Sequence, residues 1–424
     1  MGAWVIVIMF LLIFVGVPIT YSLGIASLWF FLVSDLPLTT FAQKLAVSVD
    51  SFTLISLPFF IIAGNVMNRG GITRRLFTFC NDLLGNIKGG LNYVTVFTSL
   101  IFSAMSGSAL ANAAGLGTLQ IKAMEEKHYS KEFSACLVTT AAVLGPIIPP
   151  SVIMIVYAVT AGTSIQSMFM GGVLPGILYA VVLLVTCKAA CHKYDFPRGE
   201  RASFPKLLDS FKRAIWALLA PAIILVGIFS GIFTATESGA IAAIYSVFVG
   251  VFVYRDLTLQ DVKNVLLESA KTTGTILFIS ATATVLGFCL SMDQIPLKLA
   301  NYLAGTISNK YILLVVLVVV YLFLGCIMDG SAIVITTVPI FAPLCTMMGI
   351  DLVYLGVLIA ILMSVGTITP PVGIAMFVIS KNTNIPIERF TRLMIPWYAL
   401  IVVFLMLLVF IPQIVTFLPQ LVYG

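Results

Sequence analysis

The chain has 424 residues and a formal net charge of +6, with 60% hydrophobic residues and only 9% charged. A soluble domain carries about 25% charged residues, so this composition excludes a globule covered by a polar surface. The bases lie in short loops between apolar runs, which excludes a nucleic-acid interface.

Several charge-free runs exceed the ~20 apolar residues that cross a bilayer. A first crossing is expected over 3–33. Met1–Phe14 lacks a basic leading segment and the run stays apolar through Phe31, so it reads as a membrane helix, not a cleaved signal. A second span at 51–68 leads into a semi-polar amphipathic connector at 69–88. The run 90–121 is interrupted by Ser106-Gly107-Ser108 and predicts a re-entrant helical hairpin. A broken span follows at 133–160 and an unbroken one at 167–187. The segment 188–213, with Pro197 and Pro205, reads as a linker, and one unpaired helix follows at about 214–232.

The second half gives spans near 236–253 and 272–290, a connector at 291–309, and a hairpin at 311–350 around Asp329-Gly330-Ser331. A broken span at 352–380 and a final span at 393–418 complete it. Seven scattered cysteines show no framework spacing, which argues against disulfides and zinc.

The halves share motifs. Gly145-Pro146-Ile147-Ile148-Pro149-Pro150 recurs as Gly366-Thr367-Ile368-Thr369-Pro370-Pro371, with four of six positions identical at an offset of 221. The predicted architecture is therefore all-α and polytopic. Repeats occupy 1–187 and 233–424, and each contains one hairpin and one Pro-Pro-broken helix.

Lys and Arg decide the orientation, because cytoplasmic loops hold them in excess. With both hairpins entering and leaving on one side, segments 69–90, 122–132, 188–213, 254–271 and 381–392 hold 20 of the 23 bases. Segments 34–50 and 291–310 hold three. The expectation is a cytoplasmic N-terminus and a periplasmic C-terminus. The single helix between the halves then inverts the second repeat.

Inverted repeats with discontinuous helices at mid-membrane are the architecture of secondary transporters. Proline lacks an N–H and clashes with the preceding turn, so carbonyls near Gly145–Ile148 and Gly366–Thr369 are expected to lose their helical partners. Each hairpin tip facing its own break makes one cation site. Only Glu237 and Asp329 carry charge inside the predicted spans, and buried ionisable groups are functional candidates. Asp329 reads as a cation ligand or cap; Glu237 reads as a helix cap or a functional acid. No Arg, Lys or His lies in a span, so an anionic substrate must be held by half-helix N-termini, hydroxyls, amides and bound Na⁺. The candidates for that contact are Ser108, Asn112, Pro150, Ser151, Ser331 and Pro371. With two carboxylates available, sodium coupling is favoured over a proton relay.

Of the competing readings the proteases fail on inventory, while a channel and a related symporter stay open as alternatives. Both histidines, His128 and His192, sit in loops, and there is one membrane aspartate, so rhomboid and aspartyl protease chemistry lack their residues. A channel does not need paired hairpins. A binding-protein-independent sodium–dicarboxylate symporter would carry Ser-Asn-Thr hairpin signatures, where this chain has Ser106-Gly107-Ser108 and Asp329-Gly330-Ser331.

These motifs resemble the large membrane subunit of tripartite ATP-independent periplasmic (TRAP) transporters, the DctM-like family. The resemblance is carried by Pro58–Asn65 with Gly70-Gly71-Ile72, Ser106 through Thr118, Gly145–Ser151, Phe233–Gly239, Gly325–Pro339 and Gly366–Gly373. One departure is Ala235, where many relatives have proline. The resemblance implies an elevator mechanism in the bacterial inner membrane, with hairpins and broken helices moving against a scaffold. It implies Na⁺ coupling at about two sites, ligated by Ser103, Ser106, Gly145 and Ile148 in one half and by Gly325, Asp329, Gly366 and Thr369 in the other. It further implies a separate small four-helix membrane subunit and a soluble periplasmic binding protein that delivers an organic acid, either sialic acid or a C4-dicarboxylate.

Overall fold

The computed structural model describes residues 2–50, 54–199, 202–295, 298, 309–370 and 373–423. These residues form helices joined by short turns, with no β-strand among them.

The first part of the chain contains α1 (Gly2–Phe14), α2 (Ile19–Val33), α3 (Leu38–Val49), α4 (Ser56–Arg69) and α5 (Ile72–Leu84). The expected single crossing at 3–33 is corrected: the chain breaks between Phe14 and Ile19. Gly16 there adopts φ +93° and Pro18 supplies no N–H to continue a helix. Tyr21 meets Phe278 and Phe31 meets Phe288, at ring separations of 6.1 and 5.9 Å. Thus α2 runs parallel to α14 (Leu259–Met292). The backbone N–H of Gly2 donates to Asp293 Oδ2 at 2.7 Å, just past the C-terminus of α14. α1 therefore folds back along α2 and returns residue 2 to the end where α2 finishes. A cytoplasmic N-terminus together with an outward 291–310 segment is incompatible with this contact, and that pair of expectations is corrected.

The first interrupted run forms α6 (Gly90–Ser106) and α7 (Ala109–Ala111). α7 continues through a π-helical stretch, Asn112–Gly117, into α8 (Thr118–Glu126). Its arms are antiparallel: Asn112 Nδ2 donates to Ser103 Oγ and Gln120 Nε2 donates to the Thr95 carbonyl. The broken span is α9 (Lys131–Ala142) and α10 (Val152–Ala161), followed by α11 (Ile165–Lys193). α12 spans Phe204–Phe229, so most of the expected 188–213 linker is helical, and the connection shortens to 194–203. α13 (Ala235–Phe248) extends through a π-helical Val249–Val253.

In the second half, α15 (Lys310–Gly325) and α16 (Gly330–Met347) form the other antiparallel pair, closed by Tyr321 Oη and Thr337 Oγ1 at 2.8 Å. α17 (Leu352–Gly366) and α18 (Ile374–Thr383) form the second broken span. The final span divides at Ile411–Pro412 into α19 (Ile387–Phe410) and α20 (Gln413–Tyr423). Most of the 291–309 connector lies outside the described residues. Among the described residues, six helices are long and apolar enough to cross a membrane: α11, α12, α13 with its extension, α14, α16 and α19.

Ion pairs gather the basic segments at one end. Arg69–Glu268, Arg75–Asp256, Lys88–Asp195, Lys206–Asp82 and Arg389–Glu132 each join two of the five base-rich segments. The exposed pairs among them, such as Arg69–Glu268 and Lys88–Asp195, contribute about 0–1 kcal/mol each, so their value here is geometric. They bring together the segments that the base count assigned to one side.

The halves interlock at the breaks. α10 packs on α16, while α18 packs on α9 and on the π-helical stretch of the first hairpin. Ser364 Oγ donates to the Val143 carbonyl at 2.8 Å, a contact spanning 221 residues. Backbone meets backbone on both sides of it. A Cβ on Gly145 would lie 2.5 Å from the Ser108 carbonyl carbon, and one on Gly366 would lie 2.5 Å from that of Gly325.

Gly366→Ala is expected to lower stability by about 1–3 kcal/mol through overpacking, measured as a drop in the melting temperature of the detergent-solubilised protein. Gly274→Ala is the control. A Cβ there meets nothing within 4 Å and gains helix propensity, so its melting temperature should hold or rise. Equal behaviour of the two variants would contradict the close approach at Gly366.

Candidate functional site

The first hairpin tip is built from residues that can neither continue a helix nor expose their backbone. Gly107 adopts φ +61°, and a Cβ there would sit 2.5 Å from the Pro150 carbonyl oxygen. The tip therefore rests on the Pro-Pro break of its own half. Ser108 restarts the chain as an N-cap, its Oγ accepting from the Ala111 N–H at 3.3 Å. Across from it, buried Ser151 caps α10 and accepts from the Met154 N–H at 3.4 Å. Pro149–Pro150 is a cis peptide.

Oxygen atoms collect here without partners. Ser106 Oγ is buried and makes no hydrogen bond. No hydrogen bond among the described residues ends on the carbonyl oxygens of Gly145, Pro146, Ile147 or Ile148. Buried polar groups are normally satisfied, and exceptions call for an explanation. Hard oxygen donors, carbonyl and hydroxyl, suit an alkali or alkaline-earth cation better than a transition metal. The donor set fits Na⁺.

The second break is built differently. Asp329 is the N-cap of α16: its Oδ1 accepts from the N–H groups of Ser331 at 2.9 Å and Ala332 at 3.4 Å. Gly325 packs against Gly366. The carbonyls expected to be free at Gly366–Thr369 are partly taken. Gly366 accepts from the Thr369 N–H, Thr367 accepts from the Ala375 N–H, and Ile368 accepts from Tyr398 Oη at 2.8 Å. Each carbonyl keeps a second lone pair, but this break carries fewer orphaned oxygens than the first. The two breaks match in sequence and differ in chemistry.

The structure sets the first tip against its own break, Gly107 on Pro150 and Ser108 on Gly145, with Ser103 bonded to Asn112 behind it. It sets Gly325 against Gly366, with Asp329 capping the helix that carries Ser331 and the Thr369 N–H bonded back to the Gly366 carbonyl. The two groups adjoin, since a Cβ on Gly330 would lie 3.1 Å from Ile153 Cδ1 and 3.0 Å from Met363 Cβ. Pro371 lies outside the described residues. Glu237 belongs to neither group. It closes a capping box in which its Oε2 accepts from the Thr234 N–H at 2.8 Å and the Thr234 hydroxyl at 2.9 Å. The cap reading accounts for it.

Sequence reasoning missed a buried network behind the first tip. Ser103 Oγ donates to the Ser99 carbonyl at 2.6 Å and accepts from Asn112 Nδ2 at 3.1 Å. Gln120 Nε2 reaches the Thr95 carbonyl and Ser99 Oγ. The signal was present as Thr95, Ser99 and Ser103, spaced four residues apart on one helix face. Ser364, which ties the breaks together, was also missed.

Comparison with known proteins shows the family and the fold. Residues 6–414 match the family described as "Tripartite ATP-independent periplasmic transporter, DctM component". The chain is 38% identical over 386 residues to the sialic acid TRAP transporter large permease protein SiaM of Vibrio cholerae, covering 91% of this chain and 90% of that one. It is 39% identical over 387 residues to the C4-dicarboxylate TRAP transporter large permease protein DctM of Pseudomonas aeruginosa, covering 91% of both. It is 37% identical to the sialic acid TRAP transporter permease protein SiaT of Haemophilus influenzae, where it covers 94% of itself and spans 65% of that relative's length. Among solved structures, the fold is similar to the Alcanivorax borkumensis YdaH transporter, with a TM-score of 0.67, 14% identity and 88% of both chains covered. The Neisseria gonorrhoeae MtrF structure gives 0.64 and 15%, covering 88% of this chain and 83% of that one. By its apolar helices and these matches, the chain is a multi-pass membrane protein and belongs to the DctM family, the large permease component of TRAP transporters.

Proposed function

We propose that this chain is the membrane-embedded carrier of a binding-protein-dependent importer, and that it moves an organic acid anion inward with Na⁺ by an elevator motion. The observation that carries the proposal is the first break, where an unpartnered buried hydroxyl adjoins carbonyls that accept no hydrogen bond. Na⁺ enters as cargo, held by Ser103, Ser106, Gly145 and Ile148 at one break and by Gly325, Asp329, Gly366 and Thr369 at the other. The Ser108 and Ser151 caps set half-helix N-termini beside the first break, and the Asp329 cap does so at the second. N–H groups at such ends attract carboxylates, which lets a centre without basic side chains hold an anion. Relatives are named for sialic acid and for C4-dicarboxylates, and both classes carry the carboxylate this centre suits. A small membrane subunit and a periplasmic binding protein complete the transporter.

The two halves are read as inverted repeats, with α6–α10 and α15–α18 moving together against the remaining helices. The ion-paired, base-rich end is assigned to the cytoplasm of a bacterial inner membrane by the excess of Lys and Arg. Gly2 sits at the opposite end beside Asp293, so the N-terminus faces the periplasm.

Four outcomes test this reading. In proteoliposomes containing this chain, its small subunit and the binding protein, uptake should require an inward Na⁺ gradient; uptake at full rate without Na⁺ would overturn the coupling. Ser106→Ala should raise the Na⁺ concentration for half-maximal uptake roughly tenfold, the scale of losing one charge-assisted ligand. Asp329→Asn keeps a competent N-cap while removing the charge. Impaired Na⁺ dependence in that variant assigns Asp329 to the ion, and normal transport leaves it a cap. For orientation, an N-terminal epitope tag should be cleaved by protease added outside spheroplasts, and protection of the tag would reverse the assignment.

A further inference from the structure

A cleft outside the transport centre has the dimensions and chemistry of a bound phospholipid. Between α11 and α19 lies an apolar groove of about 510 Å³ lined by Leu178, Val181, Val185, Val403 and Leu407, among others. It shares Thr186 and Leu400 with a second cleft of about 750 Å³ nearer the base-rich end, lined in part by Lys193, Arg389, Arg392 and Trp397. The two form one continuous groove, apolar at depth and cationic at its mouth.

Charge at the mouth favours an anion. Three bases face one acid, Glu132, which is bonded to Arg389 at 3.0 Å. Its own backbone N–H and then the Ser130 hydroxyl hold that carboxyl below the usual carboxylate range, so Glu132 keeps neutralising Arg389. Lys193 and Arg392 have no carboxylate partner among the described residues. Trp397 supplies the amphipathic ring found at the headgroup level of membrane proteins.

Length separates a lipid from a partner helix. From Leu178 to Lys193 the groove follows fifteen residues of helix, or about 22 Å. That is half of the roughly 40–45 Å thickness of a bilayer with its headgroups, the span of one leaflet. A partner's transmembrane helix needs an apolar track across the whole hydrocarbon core, about 30 Å, without a cluster of bases partway.

We infer that the groove between α11 and α19 binds an anionic phospholipid of the leaflet at the base-rich end, with its phosphate at Lys193 and Arg392 and an acyl chain along Val181, Val185 and Val403. The lipid would lie across a pair of helices that touch the broken spans, α11 against α10 and α19 against α9.

The test uses the complex of this chain with its small subunit, in nanodiscs, with Trp397 as reporter. Trp4→Phe, Trp29→Phe and Trp216→Phe leave that ring as the only tryptophan of this chain, and the small subunit's tryptophans are likewise replaced by Phe. Brominated phosphatidylglycerol should quench it at lower mole fraction than brominated phosphatidylcholine. Lys193→Gln with Arg392→Gln should raise the half-quenching fraction of the anionic lipid about fivefold per charge removed, while Lys193→Arg with Arg392→Lys should preserve it. Equal quenching by the two lipids would overturn the inference, as would unchanged selectivity in the neutralised variant. Quenching that appears in this chain alone and vanishes when the small subunit is bound would also overturn it, and would make the groove that subunit's seat.

Discussion

Everything in this fold follows from one constraint: a backbone that leaves helical geometry inside a membrane must find its partners in the protein. Four interruptions meet at the centre, two hairpin tips and two breaks that follow Gly145 and Gly366, and each tip packs on a break. Glycines at 107, 145 and 366 let backbones approach until a single Cβ would collide. Ser364 bonds the Val143 carbonyl across the centre, and Ser108, Ser151 and Asp329 cap the helices that restart. The breaks are stable because they are pressed together, and pressing them together gathers unpaired oxygens in one place.

That gathering determines what the centre can bind. With no basic side chain in it, attraction for an anion comes from oriented N–H groups, and attraction for a cation comes from carbonyls and hydroxyls. The first break keeps its oxygens free. The second gives several of them to Thr369, Ala375 and Tyr398 and adds a carboxylate at Asp329. Two sites derived from one motif would therefore differ in affinity. At the first site neutral carbonyls and a hydroxyl would replace the ion's hydration, and at the second a carboxylate would be added to them.

Much of this was legible from the residues. Gly-Pro-x-x-Pro-Pro inside an apolar run marks a break whatever surrounds it, because proline cannot donate. The base count sorted the loops, and ion pairs such as Arg69–Glu268 and Lys88–Asp195 join loops it placed together. What escaped depended on contacts between distant residues. Gly16 and Pro18 do signal a break, but a uniformly apolar run of ordinary spanning length masked it. The reversal of α1 also requires Asp293 to meet Gly2. The satisfied second break requires Tyr398 to reach back thirty residues to Ile368. The Ser99–Gln120 network exists only in the register of the folded hairpin. Local sequence announces where a helix must stop, but tertiary register decides which of the freed groups remain free.

The most direct test of the central claim, that the paired breaks are cation sites, is equilibrium binding of radiolabelled sodium to the purified complex of this chain with its small subunit. The account predicts saturable binding at about two sites, with one weakened roughly tenfold when Ser106→Ala alters the first break and the other unchanged. Absence of saturable sodium binding, or binding indifferent to changes at both breaks, would contradict it.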